Sequence, residues 1–239
     1  MATKQGPAHR STSGRHGRIA GIASLGAAAL FVGAAALQLL AAIQRWVIFQ
    51  PANGISVEDH LFDYSVPYEP WVPIGTAAQL YGVGMLLVAL GVLLLPVSAT
   101  LLRRPTEKRA TAAVRMSGEF ALAVIGACSL GVEGAHALVS GINGTPSFLQ
   151  HWGALGWLSL LSLIALAVLW RTNRALMLAC VFLIGSTSVG YLVSTFFIAP
   201  LISGGSHDTA RWTEAVVAGW AAAAGAAMVV AVTAHSRRA

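Results

Sequence analysis

Charged residues are scarce in this chain of 239 residues. Asp, Glu, Lys and Arg make up only 10% of it, whereas 56% of the residues are hydrophobic and the mean hydropathy is +0.70. A soluble domain carries about 25% charged residues, so this chain has too few to cover itself with a polar surface. The composition excludes a soluble globule and a largely disordered chain, and it indicates a membrane protein.

Lysine and cysteine are also rare. The chain has two lysines, Lys4 and Lys108, so the other thirteen of its fifteen basic residues are arginines. With helices rich in Ala and Gly, this bias suggests a GC-rich bacterial gene and therefore a bacterial plasma (inner) membrane. Cys128 and Cys180 both lie within apolar runs. We expect them to be small packing residues and not to form a disulfide.

Several chemistries lack their sequence motif. No predicted helix contains a lysine, which excludes a retinal Schiff base. The chain has no Walker A motif and no GxSxG motif, so neither nucleotide hydrolysis nor a serine-hydrolase elbow is expected. Nothing in the sequence indicates binding of nucleic acid.

Apolar runs account for most of the chain. A bilayer crossing needs about 20 apolar residues, and the first run is 25 residues long, which is longer than the apolar region of a signal peptide. The sequence therefore predicts an all-α, polytopic helical bundle forming one domain, with a basic tail at 1–18 and a short tail at 235–239. The six predicted transmembrane helices are 19–43, 76–102, 117–140, 151–170, 175–199 and 213–234.

The basic residues are distributed unevenly among the loops. The two tails and the links 103–115 and 171–174 contain thirteen of the fifteen Lys and Arg residues. The positive-inside rule places these segments in the cytoplasm, with both termini. The remaining loops would face outward. The longest of them, 44–75, contains four of the nine acids as well as many Pro and aromatic residues, which predicts a structured cap.

Polar groups inside a membrane are costly and are the default candidates for a functional site. The predicted helices and their outer ends contain several such groups, most of them near the outer face. Together they predict a polar pocket that opens outward. The candidate pocket residues are Arg45, Asp63, Gln79, Glu133, His136, His151, Tyr191 and Glu214.

The third predicted helix carries Glu133 and His136 on one face. Glu133 lies fourteen residues past Glu119, roughly 21 Å along the axis, and is therefore below the outer headgroups. Three interpretations remain open. Glu133 braces the bundle by pairing with Arg45 or by hydrogen-bonding His136 and Tyr191, it contributes to a metal site, or it serves an organic-ligand pocket or proton relay. The metal would be zinc or copper, with ligands drawn from His136, His151, His60, His207 and Glu133.

Two other charged groups have a local interpretation. Arg45, next to Trp46, lies where the first predicted helix leaves the membrane, and is either an interfacial anchor or a clamp for an anionic headgroup or substrate. Glu119 lies near the cytoplasmic end of the third predicted helix, where it can reach toward Arg115 one turn earlier.

One segment carries a family resemblance. From Pro146 the chain reads P-S-F-L-Q-H-W-G-A-L-G-W-L-S-L-L-S, a short outer loop followed by His and Gly-Ala opening an apolar helix. This segment, the acidic first outer loop containing Asp63, and the acid Glu214 at the start of the last predicted helix resemble the domain-of-unknown-function 998 family. The family usually places Arg after that acid, whereas this chain has Ala215. The resemblance implies a six-helix bacterial membrane protein and marks Asp63, His151 and Glu214, but it implies no reaction.

Two classes of function fit these features. The first is a membrane protein that binds or transports a small molecule or lipid in its outer pocket, or an accessory subunit that contacts a membrane-protein partner or a second copy of itself. The second is a membrane-embedded, metal-dependent hydrolase that uses outer His and acid residues, with Glu133 as base or ligand and a metal-bound water as nucleophile.

Overall fold

The computed structural model describes residues 10–51, 54–101, 109–204 and 208–236, and every regular element in these ranges is helical. Eight α-helices are joined by short 3₁₀ and π-helical turns. The helices are α1 (Arg10–Ile43), α2 (Ala77–Leu101), α3 (Arg109–Asn143), α4 (Gly156–Leu169), α5 (Arg174–Ile184), α6 (Ser188–Val193), α7 (Ala199–Ser203) and α8 (Thr213–Ser236).

Four helical spans in these ranges are long and apolar enough to cross a membrane. They are Gly21–Ile48, Ala77–Ala99, Ala112–Asn143 and Thr213–Thr233. A fifth is formed if Arg174–Ile184 and Ser188–Ser203 are counted as one broken span. Large apolar side chains on these helices are exposed, for example Leu90, Val124 and Phe197. Exposed apolar surface on so many helices indicates a protein embedded in a membrane.

Two helices begin earlier than the apolar pattern predicts. α1 starts at Arg10, so part of the expected tail 1–18 is helical, and α3 starts at Arg109 instead of 117. Hydropathy marks only the apolar part of a helix, whereas the backbone hydrogen bonds continue through polar residues. Residues 1–9 and 237–239, within the two predicted tails, lie outside the described residues.

The predicted fifth helix, 175–199, is not continuous. α5 ends at Ile184, and the chain turns through Gly185, Ser186 and Thr187 before α6 begins at Ser188, which leaves a bend of 68°. The Thr187 side chain caps α6 by accepting the backbone N–H of Gly190 at 3.2 Å. The predicted fourth helix also differs, since residues Phe148–Leu155 form a 3₁₀ segment before the shorter α4.

The longest helices and the two short apolar ones, α4 and α5, form a closed ring. α1 packs between α2 and α8, α3 packs between α2 and α4, and α5 joins α4 to α8. α2 and α3 cross with their backbones in close approach. A Cβ added at Gly82 would lie 2.6 Å from the carbonyl oxygen of Gly134, so only glycine fits at this crossing. Buried apolar side chains such as Phe31, Met85 and Leu130 fill the interior.

The connection between α1 and α2 folds onto one end of this ring, which we call the capped end. A π-helical turn, Gln44–Ile48, extends α1, and a 3₁₀ turn, His60–Phe62, lies within the connection. Gln44 ties its two ends together, because its side chain donates to Thr76 Oγ1 at 2.9 Å and accepts from the Thr76 N–H at 3.0 Å. Tyr64 is fully buried beneath the cap.

Candidate functional site

A charged group lies buried at the capped end: Arg45, whose side chain has no solvent-exposed surface. Its Nη1 lies 2.5 Å from Asp63 Oδ1 and 2.8 Å from Glu214 Oε1, so one cation faces two carboxylates. The remaining N–H groups donate to backbone carbonyls, with Nε and Nη2 on Val57 and Nη2 also on Asp59. We call Arg45, Asp63 and Glu214 the buried triad.

Three parts of the chain form this triad. The π-helical turn after α1 turns Arg45 inward, the cap contributes Asp63, and the first turn of α8 contributes Glu214. Trp46 Nε1 donates to the other oxygen of Glu214 at 2.8 Å, and the Arg45 guanidinium lies 4.6 Å from the centre of the Trp46 ring. Thr209, before α8, donates to both oxygens of Asp63. Each oxygen of the two carboxylates therefore has a donor.

The charges of the triad do not cancel. Arg45 provides one positive charge, and the carboxylates of Asp63 and Glu214 share the attraction of this single cation. Burial raises the pKa of Asp63 to about 6, because the desolvation of its carboxyl outweighs the attraction of Arg45 and Glu214 repels a second negative charge. Burial also raises the pKa of the Tyr64 hydroxyl well above its usual range. Within the described residues, the Tyr64, Ser65 and Tyr191 hydroxyls are buried around the triad without an aligned hydrogen bond.

This geometry corrects two expectations for Arg45. It pairs with Asp63 and Glu214, and not with Glu133. It is also neither an interfacial anchor nor an anion clamp, because it is buried and all its groups donate to protein acceptors. Sequence reasoning named the three members of the triad but not their association, and it missed Thr209 and the Trp46 donor.

A second polar contact lies deeper in the bundle, around Glu133. The Ser188 hydroxyl, in the first residue of α6, donates to Glu133 Oε1 at 2.7 Å. Gly156, at the start of α4, leaves the space for this contact, since a Cβ there would lie 2.8 Å from the same oxygen. The carboxyl thus bonds to another helix, as the bracing interpretation expects, but its partner is Ser188 and not Arg45, His136 or Tyr191. Ser188 reaches Glu133 because the helix breaks between α5 and α6, and the run Gly185-Ser186-Thr187-Ser188 is the sequence signal for that break.

His136 shares a face of α3 with Glu133 but has different partners. Its Nδ1 lies 2.8 Å from Ser147 Oγ, and its Nε2 lies 2.9 Å from the carbonyl oxygen of Pro67 in the cap. A carbonyl only accepts, so Nε2 carries the proton, and Nδ1 accepts from the Ser147 hydroxyl. Both ring nitrogens are occupied, and His136 joins the cap to α3.

Of the other predicted pocket residues, Tyr191 lies beside the triad, whereas Gln79 and His151 do not join it. Gln79 donates to the Gly141 carbonyl oxygen at 2.6 Å, and His151 is exposed on the 3₁₀ segment before α4. An open cleft lies nearby, between 69–71 of the cap and 144–146 after α3. None of the predicted pocket residues lines this cleft.

The predicted metal ligands are also dispersed. In the part of the chain that the structure describes, Asp59, His60 and Asp208 form the group with metal-ligand spacing, and Glu133, His136 and His151 do not join it. His207 lies outside the described residues. Of the predicted ligands, this group contains His60 alone.

Comparisons with known proteins found no match to this chain. No protein-family model matches the chain, and neither a curated protein nor a solved structure matches it.

Proposed function

We propose that this chain is a multi-pass membrane transport protein that binds a proton or a small cation at Glu133. The observation that carries this proposal is the contact between a carboxyl in the interior of α3 and the first residue after a break in a membrane-length helical pair. The buried triad then has a structural role, which is to hold the cap and α8 against α1.

The depth of Glu133 favours this role. It precedes the end of α3 at Asn143 by ten residues, roughly 15 Å along the helix axis. Among the described residues, no Lys, Arg or His lies within ion-pair distance of its carboxyl, which instead accepts from the neutral Ser188 hydroxyl. A carboxyl in apolar surroundings is stable when it is protonated or when it faces a cation. The natural ligand of this position is therefore a proton or a cation.

The broken helix supports the same conclusion. Irregular backbone at membrane depth is tolerated where it is buried in protein or lines a cavity, and discontinuous helices mark substrate sites in many transporters. The break at 185–187 lies near the middle of the segment from Arg174 to Ser203, and Ser186 and Thr187 are buried in it. Within the described residues the Ser186 hydroxyl has no hydrogen-bond partner, which leaves a polar group available beside the break.

The proposal includes a topology. The broken pair is one crossing and the short α4 is another, so that the chain crosses a bacterial plasma membrane six times with both termini in the cytoplasm. The distribution of Lys and Arg supports this arrangement. Membership of the domain-of-unknown-function 998 family remains a proposal that rests on the segments quoted above.

The hydrolase alternative has less support from the geometry. It requires Glu133 and histidines to meet at one ion, whereas Glu133 bonds to Ser188 and both nitrogens of His136 are occupied.

Proton movement in reconstituted liposomes tests the proposal. The purified chain is placed in liposomes that contain a pH-sensitive dye, and a potassium gradient with valinomycin makes the interior negative. We expect acidification of the interior with the wild-type chain and background rates with Glu133→Gln. In parallel, thermal stability is measured with guanidinium and tetramethylammonium, and a cation that binds at Glu133 should stabilise wild type but not Glu133→Gln.

Two matched substitutions control for general damage. Glu119→Gln removes the second carboxyl of α3, which is buried and pairs with Arg115 at 3.2 Å, and should leave transport intact. Ser159→Ala removes a buried hydroxyl that bonds within its own helix, whereas Ser188→Ala removes the partner of Glu133 and should slow proton movement. The proposal is rejected if the wild-type protein shows no proton movement and no stabilisation by a cation. It is also rejected if Glu133→Gln gives the same signals as wild type.

A further inference from the structure

A cluster of three metal-ligating side chains lies on the surface of the cap, outside the buried triad and the Glu133 contact. Asp59 and His60 belong to the cap, and Asp208 belongs to the connection before α8, 148 positions after His60. One ligand atom from each residue lies within 4.8 Å of the other two. The His60 side chain is 63% exposed, so the cluster is accessible to an ion from solution.

The two distances from His60 are close to those between the ligands of one ion. His60 Nδ1 lies 3.1 Å from Asp208 Oδ2 and 3.4 Å from Asp59 Oδ1. Zinc binds nitrogen and oxygen ligands at about 2.0–2.2 Å, and a tetrahedron of that size separates its ligand atoms by about 3.3–3.6 Å. A small movement of Asp208 would therefore suffice for the three atoms to bind a single ion.

Backbone hydrogen bonds hold the two carboxylates in place. Asp59 Oδ1 accepts the Leu61 N–H at 2.9 Å, which caps the 3₁₀ turn, and Asp208 Oδ2 accepts the His60 N–H at 2.8 Å. Such contacts orient ligands before an ion arrives. One imidazole and two carboxylates form a donor set suited to first-row divalent ions, with zinc foremost, and water would complete the coordination.

The position of the cluster suggests what binding would do. It joins the cap to the connection before α8, where Thr209 N–H donates to the Glu58 carbonyl oxygen at 3.0 Å. The Asp59 carbonyl oxygen also accepts from Arg45 of the buried triad at 3.2 Å. We propose that Asp59, His60 and Asp208 bind one zinc-class divalent ion, which fastens the cap to the segment that leads into α8. This inference is independent of transport at Glu133.

Zinc binding to the full-length protein in detergent tests the site. The affinity tag is removed, the protein is treated with EDTA and dialysed, and ZnCl₂ is titrated by calorimetry. We expect one equivalent of zinc to bind wild type and to raise its melting temperature. His60→Gln and Asp208→Asn should each weaken zinc binding at least about tenfold, as loss of a metal-site contact does. Asp208→Asn retains an oxygen for the His60 N–H, which limits damage to the loop.

Glu58→Gln is the matched control, because it removes an adjacent negative charge without removing a ligand, and its zinc affinity should equal that of wild type. If wild type does not take up zinc, or if both ligand variants bind it as tightly as wild type, the site does not exist. Size-exclusion chromatography checks the fold of each variant. If a variant misfolds, a cobalt(II) titration of the wild-type protein decides whether the site exists. Visible absorption that one equivalent of zinc displaces supports the site, and no such absorption overturns it.

Discussion

Replacing Arg45 with methionine measures how strongly the buried triad holds the fold. Methionine has a similar length and is apolar, so the change removes the cation with little loss of volume. It leaves Glu214, which is fully buried, and Asp63, whose side chain is 21% exposed, without their shared partner. Removing one partner of a buried ion pair costs about 3–5 kcal/mol. For a chain of this size each kcal/mol corresponds to roughly 2–4 °C, so the melting temperature should fall by roughly 6–20 °C.

Thermal unfolding in detergent measures this effect, followed by tryptophan fluorescence and by labelling of Cys180. Cys128 is exposed and is replaced by alanine for this assay, whereas the thiol of Cys180 is buried, so its reaction with a thiol dye reports loss of the helix packing. Arg211→Met is the control, because Arg211 is an exposed arginine near the same end of the bundle. A surface change of this kind should alter stability by no more than about 0.5 kcal/mol.

A double-mutant cycle separates the ion pair from other effects of the substitution. Glu214→Leu should also destabilise the protein, because it leaves Arg45 with one carboxylate and removes the acceptor for Trp46 Nε1. The combination with Arg45→Met should cost less than the sum of the two changes by about 1–3 kcal/mol. If Arg45→Met unfolds at the same temperature as Arg211→Met, the triad does not hold the bundle together, and the reasoning from burial is refuted.

Two further predictions concern pH and orientation. The pKa of Asp63 is raised in the folded protein, so its stabilising contribution is complete below the unfolded value of 3.8 and is lost as pH rises through about 6. The melting temperature should therefore fall between about pH 4 and 6 by more in wild type than in Asp63→Asn, since the amide of that variant cannot ionise next to Arg45 and Glu214; equal slopes would show that Asp63 does not titrate there. For orientation, an alkaline phosphatase fusion within 141–150 should be active and one after 236 inactive, and the reverse pattern would place the capped end in the cytoplasm.

Hydropathy alone locates the four long spans, because each is a run of apolar residues much longer than its polar ends. It does not reveal the break after Ile184, since Gly185, Ser186 and Thr187 are too few to lower the hydropathy of the surrounding run. A break of this kind is decided by hydrogen bonds, here the cap provided by Thr187, and not by average polarity.

The sequence indicates how deep a charged residue lies along its helix. It does not indicate which residue that charged group pairs with. The pattern places Arg45 and Glu133 toward the same end of the bundle, but depth does not determine which way a side chain faces around a helix. The π-helical turn directs Arg45 beneath the cap, where Asp63 and Glu214 meet it. Asp59 and Asp208 became neighbours for the same reason, because two separate connections fold over one end of the bundle.

The triad also imposes an order on biosynthesis. Asp63 follows Arg45 by 18 positions, whereas Glu214 follows it by 169 positions. At about 5–20 residues per second, roughly 10–30 seconds pass between synthesis of Arg45 and of Glu214. During that interval the cap carboxylate is the nearby counter-ion for Arg45, and Trp46 Nε1 still lacks its acceptor. In a nascent chain stalled before α8, Asp63 is therefore the only carboxylate of the triad available to Arg45, and the end of α1 is not yet fastened to α8.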